Sequence, residues 1–260
     1  MPDAASPAVG PDRRTAGPAF PGRVRALLDD LDAASGAAID AAAALVLDSV
    51  EAGGIVHVAG AGHSLAMVCE TFYRAGGLAA VRPIWDPRVV PLDGAVRSTR
   101  AEREAGAGRA VVEAAAPAPP DAAVVFSTSG RNPYPVEVAA ECRARGVPVV
   151  AVTSARAAGG AAARTATALA DHADIVLDTC VPPGDVLHPA AAPRTAAAST
   201  ILAAYAWSRV LAALDDLAAE RGAEPPRWTS ANVPGGDEVN AALLARYRHR
   251  VPELMGDEQP

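Results

Sequence analysis

A chain of 260 residues with a net charge of −7 and a pI near 5.2 is long enough for one substantial core. Its acidic balance argues against nucleic acid as the main partner, because affinity for a phosphate backbone comes from clustered Lys and Arg. Half of the residues are apolar but only 4% are aromatic, so core volume has to come from Val, Leu and Ile on closely packed, alanine-rich elements.

Residues 1–21 contain five prolines and little large apolar surface. They are expected to form a disordered tail ahead of one domain over 22–260. No signal-peptide run precedes Val24, and no later stretch approaches about 18 strongly apolar residues, so the expected location is cytoplasmic, away from membranes. Cys69, Cys142 and Cys180 have neither metal-type nor redox-type spacing and read as small hydrophobes in a reducing compartment. Between Arg23 and Val50, the spacing of Leu27, Leu31, Ile39, Val46 and Val50 predicts one amphipathic helix, or two with a break at Gly36.

Five β-rich apolar runs follow, at 54–59, 80–85, 122–126, 147–152 and 174–178, each leading into a helical stretch. Near-continuous hydrophobic runs are those of strands covered on both faces. Pro83 places the second strand near an edge, and Pro148 falls at a strand start, where a missing N–H costs least. The pattern predicts right-handed parallel crossovers in an α/β fold, a three-layer α/β/α sandwich with a five-stranded parallel sheet and flanking N- and C-terminal helices. After the fifth strand a long helix is expected from about Thr195 to Glu220. A polar loop at 225–236 then leads to a last helix ending near Leu254. Ligands of such sheets sit at the carboxyl ends of the strands, which directs attention to the segments after strands one, three, four and five.

The first of these holds Gly60, Ala61, Gly62, His63 and Ser64. Its glycines let backbone approach a ligand, and the following helix start favours an anion. A dinucleotide fingerprint would need glycine where Leu65 stands, so that reading is incomplete. The segment after the third strand holds Ser127, Thr128, Ser129, Gly130, Arg131 and Asn132. Its hydroxyls, the Gly130 amide, the Asn132 side chain and a helix opening near Pro133 offer donors for a dianionic phosphate without a lysine. The alternative is a turn and helix cap with no ligand.

These segments, together with Tyr73 to Leu78, Glu137 and Val150 to Ser154, resemble the sugar isomerase (SIS) domain, and more narrowly an uncharacterised bacterial branch of it. The resemblance covers roughly residues 24–254 and implies a phosphosugar ligand, with its phosphate on Ser127, Thr128, Ser129 and Asn132, helped by Ser64. It further implies a homodimer or larger assembly, and neither a redox cofactor nor a metal. Gly62 and Gly130 complete the expected binding set.

Aldose–ketose isomerisation needs a carboxylate to move a proton between C2 and C1 and a group that helps open the ring. Glu70, six residues after Ser64, is the first candidate base, with a solvated helix face as its alternative. Glu104 is the second, preferred over Glu102 on the resemblance to SIS lyases; a charged surface run is its alternative. His63 in the first loop and His188 after the fifth strand are candidate acids. His57 reads as a core histidine. The segment 228–240 either folds over the pocket or merely connects two helices. Three functions stay open: a sugar-phosphate isomerase, a lyase or etherase on the same ligand class, and a catalytically silent phosphosugar sensor.

Overall fold

The computed structural model describes residues 20–256. Residues 1–19, the greater part of the expected tail, lie outside the described residues, while Phe20 and Pro21 already belong to the first helix. That helix, α1 (Phe20–Glu51), is continuous. Gly36 does not break it, because a single glycine costs only about 1 kcal/mol against alanine, while Leu27, Leu31, Ile39, Val46 and Leu47 are buried along its length. By length and composition α1 could cross a membrane, with a mean hydropathy of 1.4 in its most apolar 18 residues. The sequence reading passed over this stretch. Its buried side chains here form part of the protein core.

Strands β1 (Val56–Gly60), β2 (Val81–Pro83), β3 (Ala122–Phe126), β4 (Val149–Thr153) and β5 (Ile175–Asp178) form one parallel sheet in the order β2-β1-β3-β4-β5. Pro83 therefore lies on an edge strand, and Pro148 directly precedes β4, as expected. Between the strands lie α2 (Leu65–Thr71), α3 (Ala95–Ala101), α4 (Ala107–Ala115), α5 (Pro133–Ala144) and α6 (Ala155–Gly160).

The central strands are buried on both faces, and alternate residues enter two separate cores. Val58, Val124, Phe126, Val150 and Val152 pack in the same core as α1 and the later helix α7 (Ser199–Arg221). Ala59, Ala123, Val125, Val149 and Ala151 pack in the other, with Val112 of α4 and Tyr134, Val138 and Cys142 of α5. Each fully buried Val or Leu contributes roughly 1.5–3 kcal/mol, so both layers hold the sheet firmly.

Beyond β5 the structure departs from expectation. A short antiparallel pair, β6 (Val186–His188) and β7 (Thr195–Ala197), precedes α7. Residues 195–197 are thus strand rather than the start of the long helix. The last helix, α8 (Gly236–Tyr247), ends seven residues before Leu254, which closes a short 3-10 turn. None of residues 228–240 lines the cleft found at the carboxyl ends of the strands. Trp228 is buried and stacks edge-on against Tyr73 at 4.7 Å. The Asn240 amide bonds both the N–H and the C=O of Thr229, closing a structured connection.

Where the strands start, the sheet is tied by one carboxylate. Asp121 accepts from Ile55 N at 2.8 Å, Ala118 N at 3.3 Å and Arg250 at 2.7 Å, and lies 3.1 Å from His57 Nε2. These donors outweigh desolvation and hold its pKa far below the usual aspartate value. His57, 3% exposed, is the core histidine anticipated.

Candidate functional site

The carboxyl ends of β1, β3 and β4 open into a cleft of about 430 Å³, within the usual range for small-molecule sites. It is walled by Gly62, His63 and Ser64 after β1, by Ser127, Thr128, Ser129 and Asn132 after β3, and by α6 after β4. Asp185 and Ser199 close it from the side of β6 and α7, and Pro91, Ser98, Thr99 and Glu102 from the segment around α3.

The two glycines of the first loop serve different ends. A Cβ on Gly60 would come within 2.7 Å of the Ser64 carbonyl oxygen. Glycine there lets α2 start hard against β1, a packing demand rather than a ligand contact. Gly62 has φ +56° and lines the cleft, and a Cβ there would lie 3.5 Å from Glu102 Oε2.

The second loop is pinned from below. Ser127 N donates to Val152 O, Ser154 N and Thr153 Oγ1 donate to Thr128 O, and Leu169 N donates to Gly130 O. Gly130 N donates to Ser127 Oγ at 3.2 Å. Gly130 is buried and is not among the cleft-lining residues, so its amide holds the loop's shape instead of facing a ligand. Asn132 is also engaged: Nδ2 donates to Glu102 Oε1 at 2.9 Å, and Oδ1 accepts from Arg164 at 2.8 Å. It orients the carboxylate more directly than it could hold an anion.

Glu102 is the feature the sequence reading set aside. It follows the last residue of α3 and is half-buried. Desolvation raises its pKa above the ordinary 4.5, against the opposing charges of Arg103 and Arg164 and the Asn132 hydrogen bond. The segment carrying it is clamped to α5. Tyr134 N donates to Glu102 O, while the Glu137 carboxylate accepts from Gly106 N at 2.8 and 2.9 Å and from Gly108 N at 3.1 Å. Glu137 thereby caps α4 with an acid where the helix dipole favours one.

Of the residues expected at the site, Gly62, His63, Ser64, Ser127, Thr128, Ser129 and Asn132 come together in the cleft, and Glu70, Glu104 and His188 do not. Six residues are about 1.7 turns of helix, which sets Glu70 well round from Ser64; it pairs with Arg74 at 2.9 Å. Glu104 lies beyond the end of α3, with a side chain 58% exposed, bonded to Arg88. His188 is exposed on β6. The placement of Glu102 shows in the structure more than in the sequence. Ser98 and Ala101, its neighbours at i−4 and i−1, are small and buried, so Glu102 continues the inner face of α3. Asp185 and Ser199 were also missed; Asp185 accepts from Ala198 N and Ser199 N at 3.0 and 2.7 Å, which caps α7. Among the described residues no group of three or more His, Cys, Asp or Glu is placed to hold a metal ion.

A family model described as the SIS domain matches residues 19–154, a span that includes both loops and Glu102. A UPF0309 protein of Streptomyces coelicolor is 41% identical over 220 residues, 82% of this chain and 87% of that protein. A UPF0309 protein of Geobacillus kaustophilus is 35% identical over 222 residues, 84% and 88% of the two chains. Among solved structures, phosphoheptose isomerase from Neisseria gonorrhoeae shares the fold with a TM-score of 0.52 at 18% identity, covering 75% of this chain and 94% of that one. The chain belongs to the SIS domain family and, within it, to the UPF0309 proteins.

Proposed function

We propose that the protein is an enzyme that binds a phosphorylated sugar in this cleft and moves a proton at the carbon next to the sugar's carbonyl, as an aldose–ketose isomerase. The observation that carries the reading is Glu102: a half-buried carboxylate of raised pKa, in the same cleft as three consecutive hydroxyl residues at the end of a buried strand. Ser127, Thr128, Ser129 and Ser64 take the phosphate through neutral donors. Glu102 removes the proton from C2 and returns it to C1, with the intervening enediolate held in the cleft. A carboxylate whose pKa is moved toward the working pH is a stronger base than an exposed one and still ionised enough to act. His63, which lines the same cleft, protonates the ring oxygen to open the sugar. The 260 residues include no lysine, so no side chain among them can form a Schiff base with the carbonyl. The family, and the phosphoheptose isomerase that shares the fold, support the substrate class to be tested first.

A thermal-shift screen against sugar phosphates, their unphosphorylated parents and NAD tests binding, since a ligand at 100 times its Kd stabilises by about 2.7 kcal/mol. Stabilisation by NAD but by no sugar phosphate would sink the proposal. Hits are then incubated in D2O with wild type and Glu102→Gln. Deuterium entering C1 or C2 of the product marks isomerisation. Loss of a 3-substituent identifies a lyase or etherase, and binding with neither identifies a sensor. Wild-type exchange by Glu102→Gln would remove Glu102 from the mechanism.

A further inference from the structure

Asn132 meets two charged groups with opposite ends of one amide, Nδ2 toward Glu102 Oε1 and Oδ1 toward Arg164. An asparagine amide can turn over and exchange donor for acceptor at the same place. Arginine has donors only. A turned-over Asn132 would therefore set its NH2 against a guanidinium and its oxygen against a carboxylate, losing both hydrogen bonds. Arg164 itself is exposed, in the connection between α6 and the 3-10 turn Leu169–His172, and is not among the cleft-lining residues.

We infer that Arg164 is a positioning residue for the proton-transfer site: it locks the Asn132 amide with Nδ2 toward Glu102, and so fixes the carboxylate beside Gly62. The inference rests on the reading of Glu102 as the base. Without Arg164 the amide is free to present its oxygen to Glu102, which disfavours the ionised carboxylate. A positive charge near that carboxylate is lost as well. The other charged or titratable groups facing Glu102 are Arg103, adjacent in sequence, and His63 and Asp185, which line the same cleft. None of them bonds the Asn132 amide.

The test is a carbon-13 NMR titration of the Glu102 carboxyl in substrate-free protein, assigned with Glu102→Gln. Arg164→Met is expected to raise the Glu102 midpoint by about 0.5–1 pH unit, less than the 1–3 units of an opposite charge in direct contact. Arg164→Lys, which keeps a donor-only cation, retains most of the wild-type midpoint. In an Asn132→Ala background, Arg164→Met should move the midpoint clearly less than it does in wild type. An unchanged midpoint in Arg164→Met at wild-type melting temperature overturns the inference. So does an equal shift with and without Asn132, which would leave only through-space charge. Where a substrate turns over, the acid limb of kcat/KM moves with the midpoint. A shifted midpoint in a protein that turns over no sugar phosphate supports the relay while the proposed reaction fails.

Discussion

Where the strands of the sheet begin, Asp121 draws on two backbone amides, an arginine and a histidine; where they end, Glu102 has one side-chain amide. The two carboxylates are moved in opposite directions, Asp121 below its ordinary pKa and Glu102 above it. Both are withdrawn from water, so the difference lies in the supply of donors. A carboxylate with its lone pairs filled stabilises the fold and is chemically idle. One that is desolvated and sparsely bonded costs stability and keeps a free oxygen for a substrate proton. The sheet thus separates a structural end from the end proposed to be reactive.

The sharpest break of this comparison is Glu102→Gln. It should lower kcat by about 10²- to 10⁴-fold, the range of a general base, and leave the melting temperature equal to or above wild type. A group whose pKa is raised on folding contributes stability only at low pH and loses it as pH rises through the raised value, so at neutral pH the glutamine removes a penalty. Steady-state kinetics beside a melting curve at pH 7 reads both. Next in size, Asp121→Ala should leave turnover per folded molecule unchanged. It should cost about 1–3 kcal/mol for each buried donor stranded at Ile55 and His57, read by urea unfolding.

The pH dependence sharpens the contrast further. Because the Asp121 pKa is depressed from 3.8, its contribution is full above that value and is lost as pH falls below it. Wild-type stability should therefore drop more steeply than that of Asp121→Ala in unfolding series below about pH 4. The smallest effects belong to Glu70→Gln and Glu104→Gln. Each removes a partly or largely exposed ion pair, with Arg74 or Arg88, and should shift stability by less than about 1 kcal/mol and kcat by less than about twofold. A hundredfold loss in either would return the base to the position first read from the sequence.

Much of the fold was legible because short, continuous, β-branched apolar runs such as Ala122 to Phe126 and Val149 to Thr153 fit strands of a sheet covered on both faces. The short pair β6–β7 was not, because Thr195, Ala196 and Ala197 have no apolar period and continue into a strongly helical sequence. The loops of the cleft were found by their turn chemistry. The proposed base, Glu102, was missed for an angular reason. Glu102 and Glu104 stand two residues apart and Glu70 only six residues from Ser64, and the choice among them turns on which way each side chain faces. Around Glu102 the inward face is marked only by Ser98 and Ala101, too small to register as a hydrophobic stripe.

The sequence by itself determined the layer order, the parallel sheet and the two loops at its carboxyl edge, since these follow from local periodicity and turn residues, which act over a few positions. Only the tertiary structure decided which carboxylate enters the cleft and which way the Asn132 amide points. Both depend on groups about 30 residues apart, Glu102, Asn132 and Arg164, whose meeting is set by how the end of α3, the start of α5 and the connection after α6 come together at the strand ends. Desolvation and the count of hydrogen-bond donors, which separate Glu102 from Asp121, exist only once those elements have been brought together.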